Sequence, residues 1–134
     1  MCKYSLDVGD SFVLQDANGK HLHFIVAAES GSDHASIILV YMSSADTTFK
    51  DKTTIIRYGE HPFITDPHIE SWIRYQNTRI CSRAEIREKI TIYYGKVSDE
   101  LLEKIRDGVI KSERVKKDKK KLFLEWRMNH LYNS

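Results

Sequence analysis

Apolar and polar side chains alternate along the first half of this chain and recur at helical spacing along the second. Ser11-Phe12-Val13-Leu14-Gln15 predicts a short strand after a Gly9-Asp10 turn. Asp16-Ala17-Asn18-Gly19-Lys20 follows, and Asn-Gly is the strongest short hairpin signal because both residues tolerate positive φ. His21 to Ala28 reads as the return strand, with Leu22, Phe24 and Val26 on one face and His21, His23 and Ile25 on the other. A loop rich in Ser and Gly, Glu29 to His34, leads to Ser36–Met42, a nearly continuous apolar run that predicts a central strand buried on both faces. Thr53 to Arg57, rich in β-branched side chains, predicts a further short strand. Thr78 to Cys81 predicts a weaker one.

From Ser82 the period changes. Ser82 and Glu85 form a capping box, and Ile86, Ile90 and Tyr93 at helical spacing predict a helix stopped by Tyr94-Gly95. Ser98 caps the next helix, with Asp99 and Glu100 favourably placed in its first turn. Leu101, Leu102, Ile105 and Val109 form its apolar stripe. A last helix is expected from about Arg114 to Leu131, carrying Leu122, Phe123, Trp126 and Leu131. Strands first and helices second, in 134 residues, predict one α+β domain over 1–134. A small curled sheet or barrel would occupy about 7–81 and helices about 82–134.

Composition changes this picture in two places. No apolar run reaches the roughly 20 residues of a membrane span, and the first residues lack the apolar core of a signal peptide, so a cytoplasmic protein without a membrane partner is expected. Cys2 and Cys81 match no metal-ligand spacing, and no cofactor-binding motif is present. Cys81, flanked by apolar residues, reads as a packed thiol. Charge is unevenly spread. Residues 111–127 carry eight basic and three acidic side chains, a net of +5 that leaves −3 of the overall +2 to the rest. A basic C-terminal arm on a mildly acidic body suits a polyanion or an acidic protein surface, and it equally suits a solvated helix face.

Several residues are candidates for chemistry. His61 lies in Gly59-Glu60-His61-Pro62-Phe63-Ile64, where Pro62 pushes it out of the helical region. Its side chain is either presented for acid–base work or phosphate contact, or held in a turn with its nitrogens satisfied nearby. His21 and His23 share a strand face and either converge on a ligand or stand as exposed polar residues. No third metal ligand stands at recognisable spacing. Ser43 and Ser44 end the central strand, where hydroxyls contact phosphate or close the strand locally. Trp72, Arg74 and Tyr75 either stack single-stranded bases or combine core aromatics with a surface arginine.

The order Gly9-Asp10, the hairpin into Lys20-His21-Leu22-His23-Phe24-Ile25-Val26-Ala27, and Ile37-Ile38-Leu39-Val40-Tyr41-Met42-Ser43-Ser44 resemble the PemK/MazF-like toxins. The Gly-Glu-His-Pro-Phe-Ile segment and the residues up to 111 resemble a group of small bacterial proteins that share it. The resemblance implies an SH3-like barrel from a toxin–antitoxin or defence system and, in an enzyme, metal-independent cleavage of single-stranded RNA. Lys20 occupies the region of the family's basic residue and Ser43 or Ser44 that of its hydroxyl. Where ribonuclease members carry Arg-Arg-Pro or Lys-Arg-Pro, this chain has Lys20-His21-Leu22. The expected catalytic group is then His61 as acid or base, Lys20 as charge stabiliser and Ser44 as phosphate contact, converging on one groove. His21, His23, Ser43, Trp72, Arg74, Lys116, Lys117 and Lys120 are the expected nucleic-acid contacts. Neither metal nor cofactor is implied. RNA, an antitoxin-like protein or a second copy of the chain are the expected partners, and a non-catalytic interaction module on the same barrel is the alternative.

Overall fold

The alternation between Phe12 and Val26 is realised as an antiparallel hairpin of β1 (Asp10–Asp16) and β2 (Gly19–Ala28), closed by the pair Asp16 and Gly19. A computed structural model describes residues 6–16, 19–31, 34–44 and 51–133. Ala17 and Asn18 of the expected turn lie outside them, as does Cys2. β3 (Ser36–Ser43) runs antiparallel to β2. Its other edge is shared by β5 (Ser71–Ile73), which pairs with Met42 and Ser43, and β6 (Arg79–Ser82), which pairs with Ser36 to Leu39. The short β4 (Ile55–Ile56) lies outside β5.

Val13, Leu22, Phe24, Val40 and Met42 pack on one sheet face, beneath α2 (Asp99–Lys111) and α3 (Lys117–Asn133). Phe12, Leu14, Ile25, Ile37 and Leu39 fill the other, with Leu6, Val8, Cys81 and Ile86. Both faces of β3 are therefore buried, as its unbroken apolar run requires. Cys81 is buried, and burial pushes its thiol pKa up, which suits a packed rather than a reactive sulfur.

Two expectations are corrected. The helix after Ser82 does not extend to Tyr93. The capping box is formed, with Glu85 N donating to Ser82 Oγ at 3.2 Å, but α1 (Arg83–Arg87) ends after five residues. Ile90–Lys96 is instead a strand, β7, paired antiparallel with β1. Three residues of the run Ile90-Thr91-Ile92-Tyr93-Tyr94 are β-branched and two aromatic, a composition suited to a pleated surface. Strand structure thus continues past residue 81. The second correction concerns closure. The seven strands form an open antiparallel sheet in the order β4-β5-β3-β2-β1-β7, with β6 on β3. Among the described residues β7 pairs with β1 alone, so the sheet does not close into a barrel.

The expected helices after Ser98 are present. Ser98 Oγ accepts from Leu101 N at 3.1 Å, and Leu101, Ile105 and Val109 are buried. α3 starts three residues later than expected. Phe123 and Trp126 are buried against the sheet, and the side chain of Leu131 lies outside the described ones. A 3₁₀ turn, Tyr75–Asn77, carries Tyr75 under α2. Tyr75 Oη donates to the Ile105 carbonyl at 2.7 Å and Thr54 Oγ1 lies 2.6 Å from it. No helix is long and apolar enough to cross a membrane among the described residues.

Candidate functional site

Residues 57–70 connect β4 to β5 and carry the most distinctive sequence string. Its first turn is Arg57 to Glu60, with Glu60 N donating to the Arg57 carbonyl at 3.0 Å. Gly59 sits at its third position with φ +97°, where a side chain would be strained. Glu60 accepts from Arg57 N at 2.7 Å and pairs with Lys104 of α2 at 3.0 Å. A second turn follows at once, Ile64 N donating to the His61 carbonyl at 3.1 Å, with Pro62 at the position that suits its fixed φ. Phe63 packs edge-on to Tyr94 and Ile64 enters the core. The string is a two-turn clasp between the sheet and α2.

His61 is the pin of this clasp and is 4 % exposed. Its ring meets Phe24 and Tyr94 edge-on, with centroids 5.8 and 5.1 Å away. Nδ1 accepts from Phe63 N at 3.0 Å. Nε2 lies 2.9 Å from Ser11 Oγ, whose hydroxyl donates to the Gly95 carbonyl at 3.0 Å. An accepting Nδ1 and a hydroxyl already donating elsewhere require the neutral tautomer protonated at Nε2. Burial agrees, because it penalises the imidazolium and lowers the pKa from 6.5 to about 4. Both nitrogens are engaged within the fold.

Three adjoining clefts open along the same loop. One of about 180 Å³ is lined by Met42, Ser44, Phe63, Thr65, Asp66 and Ser71, among others. A second, of about 530 Å³, shares Ile64 and Thr65 with it and reaches His61 and Tyr58. A third, of about 440 Å³, lies between Arg57, Tyr58, His68 and Glu70. Ser44 Oγ lies 2.8 Å from Ser71 Oγ, and both serines line the first cleft with Asp66. Ser44 and His61 thus line neighbouring clefts. Lys20 is exposed at the start of β2 and is among the lining residues of none of the three. It lies four residues from Phe24, which His61 touches, or about 13 Å along the strand. Lys20, Ser44 and His61, expected in one groove, do not line a common cleft among those three.

The expected nucleic-acid contacts divide. His23 is buried, stacked parallel to Phe12, and its Nδ1 donates to the His21 carbonyl at 2.9 Å. His21 is half-buried, its ring 4.7 Å from that of Tyr41. Both histidines lie on the sheet face opposite His61, because Phe12 and Ser11 alternate along β1 and pair with His23 and Phe24. Ser43 and Trp72 are a buried cross-strand pair, so Trp72 has no open face on which a base could stack. Arg74 is half-buried beside the 3₁₀ turn. Lys119 Nζ donates to the Thr78 carbonyl, which folds the basic arm back onto that turn. Lys116 and Lys117 are exposed, whereas Lys120 Nζ donates to the Ile110 carbonyl at 3.0 Å near the end of α2. Among the described residues no group of three or more His, Cys, Asp or Glu side chains is placed to hold a metal ion.

No family model, curated protein or solved structure matches the chain.

Sequence reasoning passed over Ser11, which fixes the His61 tautomer from 50 residues away. No local signal marks it. It also passed over Arg106, which had one: four residues after Leu102 and three before Val109, it falls inside the apolar stripe of α2.

Proposed function

We propose that this chain is a toxin-like RNA-binding protein of a bacterial toxin–antitoxin or defence system, built on an opened variant of an SH3-like barrel. The observation that supports the binding role is the bond from Lys119 Nζ to the Thr78 carbonyl, which lays the start of α3 against the Tyr75–Asn77 turn. Lys116 and Lys117 are exposed at the start of α3 and Arg74 stands at the start of the same turn, and a basic surface built from them would suit the phosphates of a flexible strand. Register shifts between β1 and β7 and between β2 and β3 support the barrel ancestry, because bulges curl a sheet. The geometry supports binding more than cleavage. In-line attack by a ribose hydroxyl needs a base and an acid near neutrality, and His61 is buried, neutral and bonded through both nitrogens.

The test is binding of a short single-stranded RNA at low and moderate salt, by the parent and by a Lys116→Ala/Lys117→Ala variant. Undiminished binding by the variant, or none by the parent, would overturn the reading. One observation favours a second reading, a protein-interaction module. Tyr58 and Ile69, 56 % and 46 % exposed, edge the clefts of the 57–70 loop with apolar surface, which an antitoxin-like partner or a second copy of the chain would cover. Salt-insensitive binding of a protein partner, lost on Tyr58→Ser and Ile69→Ser, would support it.

A further inference from the structure

The cleft of about 180 Å³ at the end of β3 has a sorted lining. Met42, Phe63, Ile64 and Ile69 give it apolar walls, and Ser44, Thr65, Asp66 and Ser71 supply its polar side chains. No lysine, arginine or histidine is among the described residues that line it. Each of its polar side chains can accept a hydrogen bond, and one of them, Asp66, carries a negative charge. The cleft is therefore rich in acceptors and holds no cation of its own.

Strand pairing sets the serines. Met42 and Ser43 pair with Ile73 and Trp72, so Ser44 and Ser71 occupy the next positions on the two chains, and their hydroxyls meet at 2.8 Å. Ser71 is 1 % exposed, whereas Ser44 is exposed. The orientation that strands no buried donor has Ser71 donating to Ser44. Ser44 Oγ then keeps a second lone pair on the accessible side. Asp66 Oδ1 accepts from His68 N at 2.9 Å, which ties the carboxylate to its own loop through one oxygen. A carboxylate has room for further donors, and its second oxygen supplies them with an acceptor.

We propose that this cleft binds a small organic cation, a primary ammonium carried on a ring-sized apolar body. The ammonium donates to Asp66 and to Ser44 Oγ, and the body lies against Met42, Phe63 and Ile69. The size is suitable, since an apolar cavity of about 150 Å³ takes up benzene. Other ligand classes fit less well. An anion meets Asp66 with no cation in the lining to answer it, and a plain hydrocarbon strips water from the polar side chains without replacing their bonds. Lys116 and Lys117 are not among the lining residues, so this site and the proposed RNA surface stand or fall separately.

Titration of the whole chain with benzylammonium chloride, followed through backbone amide NMR signals, tests this, with benzoate and benzyl alcohol as probes of similar body and different head. Benzylammonium should shift the signals of Ser44, Thr65, Asp66 and Ser71 along a saturating curve, and benzoate should leave them in place. Benzyl alcohol should bind about tenfold more weakly, the loss of one charge-assisted contact. Asp66→Asn keeps an acceptor for His68 N and removes the charge, and should weaken benzylammonium binding by about the same factor. Ser44→Ala, at an exposed position the fold tolerates, removes the second acceptor and should weaken it several-fold. Lys116→Ala/Lys117→Ala should bind as the parent does. The absence of a saturating shift at these four residues, benzoate or benzyl alcohol binding as tightly as benzylammonium, unchanged affinity in Asp66→Asn or in Ser44→Ala, or loss of binding in the lysine variant would each overturn the proposal.

Discussion

Gly108 packs against the hydroxyl end of Tyr75, so that a Cβ at position 108 would overlap Tyr75 Oη and Thr54 Oγ1. Alanine is the better helix former by about 1 kcal/mol, but here overlap decides the sign. Gly108→Ala must expel the Tyr75 hydroxyl from its bonds to Ile105 and Thr54, and is expected to destabilise the fold by about 3 kcal/mol or more. Tyr75→Phe leaves the glycine contact intact and costs only the buried hydroxyl's bonds, about 1–3 kcal/mol. Urea midpoints of the two variants check the order. A Gly108→Ala protein as stable as the parent would contradict the packing described.

His61 gives stability a predictable pH dependence. With its folded pKa lowered to about 4 and its unfolded pKa at the ordinary 6.5, the unfolded chain takes up a proton first as pH falls. Stability from this residue is therefore complete above about pH 6.5, declines as pH drops through the window, and is gone below about pH 4. The full loss is at most about 3 kcal/mol. His61→Gln should flatten that part of the profile, and the His61 ring signals in NMR should stay those of the neutral Nε2–H tautomer at pH 6. A ring that titrates near 6.5 in the folded protein would refute the buried clasp.

The same residue shows how much could be read from the chain. Pro62 announced a turn, and the turn is there, but whether His61 faces solvent depends on Ser11, Phe24, Tyr94 and Gly95, which sequence distance conceals. The alternation in β2 assigned its faces correctly. It did not reveal that both faces are covered, and so His23 was open to reading as an exposed ligand when Phe12 in fact stacks on it. Ser82 and Glu85 marked a helix start that is real. The helical spacing of Ile86, Ile90 and Tyr93 then competed with a β-branched and aromatic run, and pairing with β1 decided for the strand. Apolar residues fit either period when only three are counted.

Arg83 offers a test of the N-terminal join. It is buried, with Nε donating to the Leu6 carbonyl at 2.8 Å and Nη1 to the Glu29 carbonyl at 3.2 Å. Arg83→Met keeps much of the apolar stem and removes both donors, so it should cost about 2–3 kcal/mol through charge-assisted bonds lost. Hydrogen exchange should quicken at Val8 and Glu29 before the centre of the sheet is affected. Uniform loss of protection across all strands would instead mean that Arg83 supports the whole fold.

The lysines in and just before α3 are not equivalent, and that separates phosphate contacts from helix caps. Lys116 and Lys117 are exposed, whereas Lys120 is bound to the carbonyl of Ile110, near the C-terminal end of α2, where a cation also meets the helix dipole favourably. If Lys116 and Lys117 each neutralise one phosphate of a single strand, removing both should make the slope of log affinity against log salt shallower by about 1.4, since each contact contributes about 0.7. Folding stability should change little, because neither side chain is buried. Lys120→Ala should do the reverse, lowering stability by about 0.3–1 kcal/mol while leaving the salt slope as in the parent. Measuring both quantities for both variants with a short single-stranded RNA decides the matter. A salt slope that responds to Lys120 and not to Lys116 and Lys117 would move the phosphate contacts away from the start of α3.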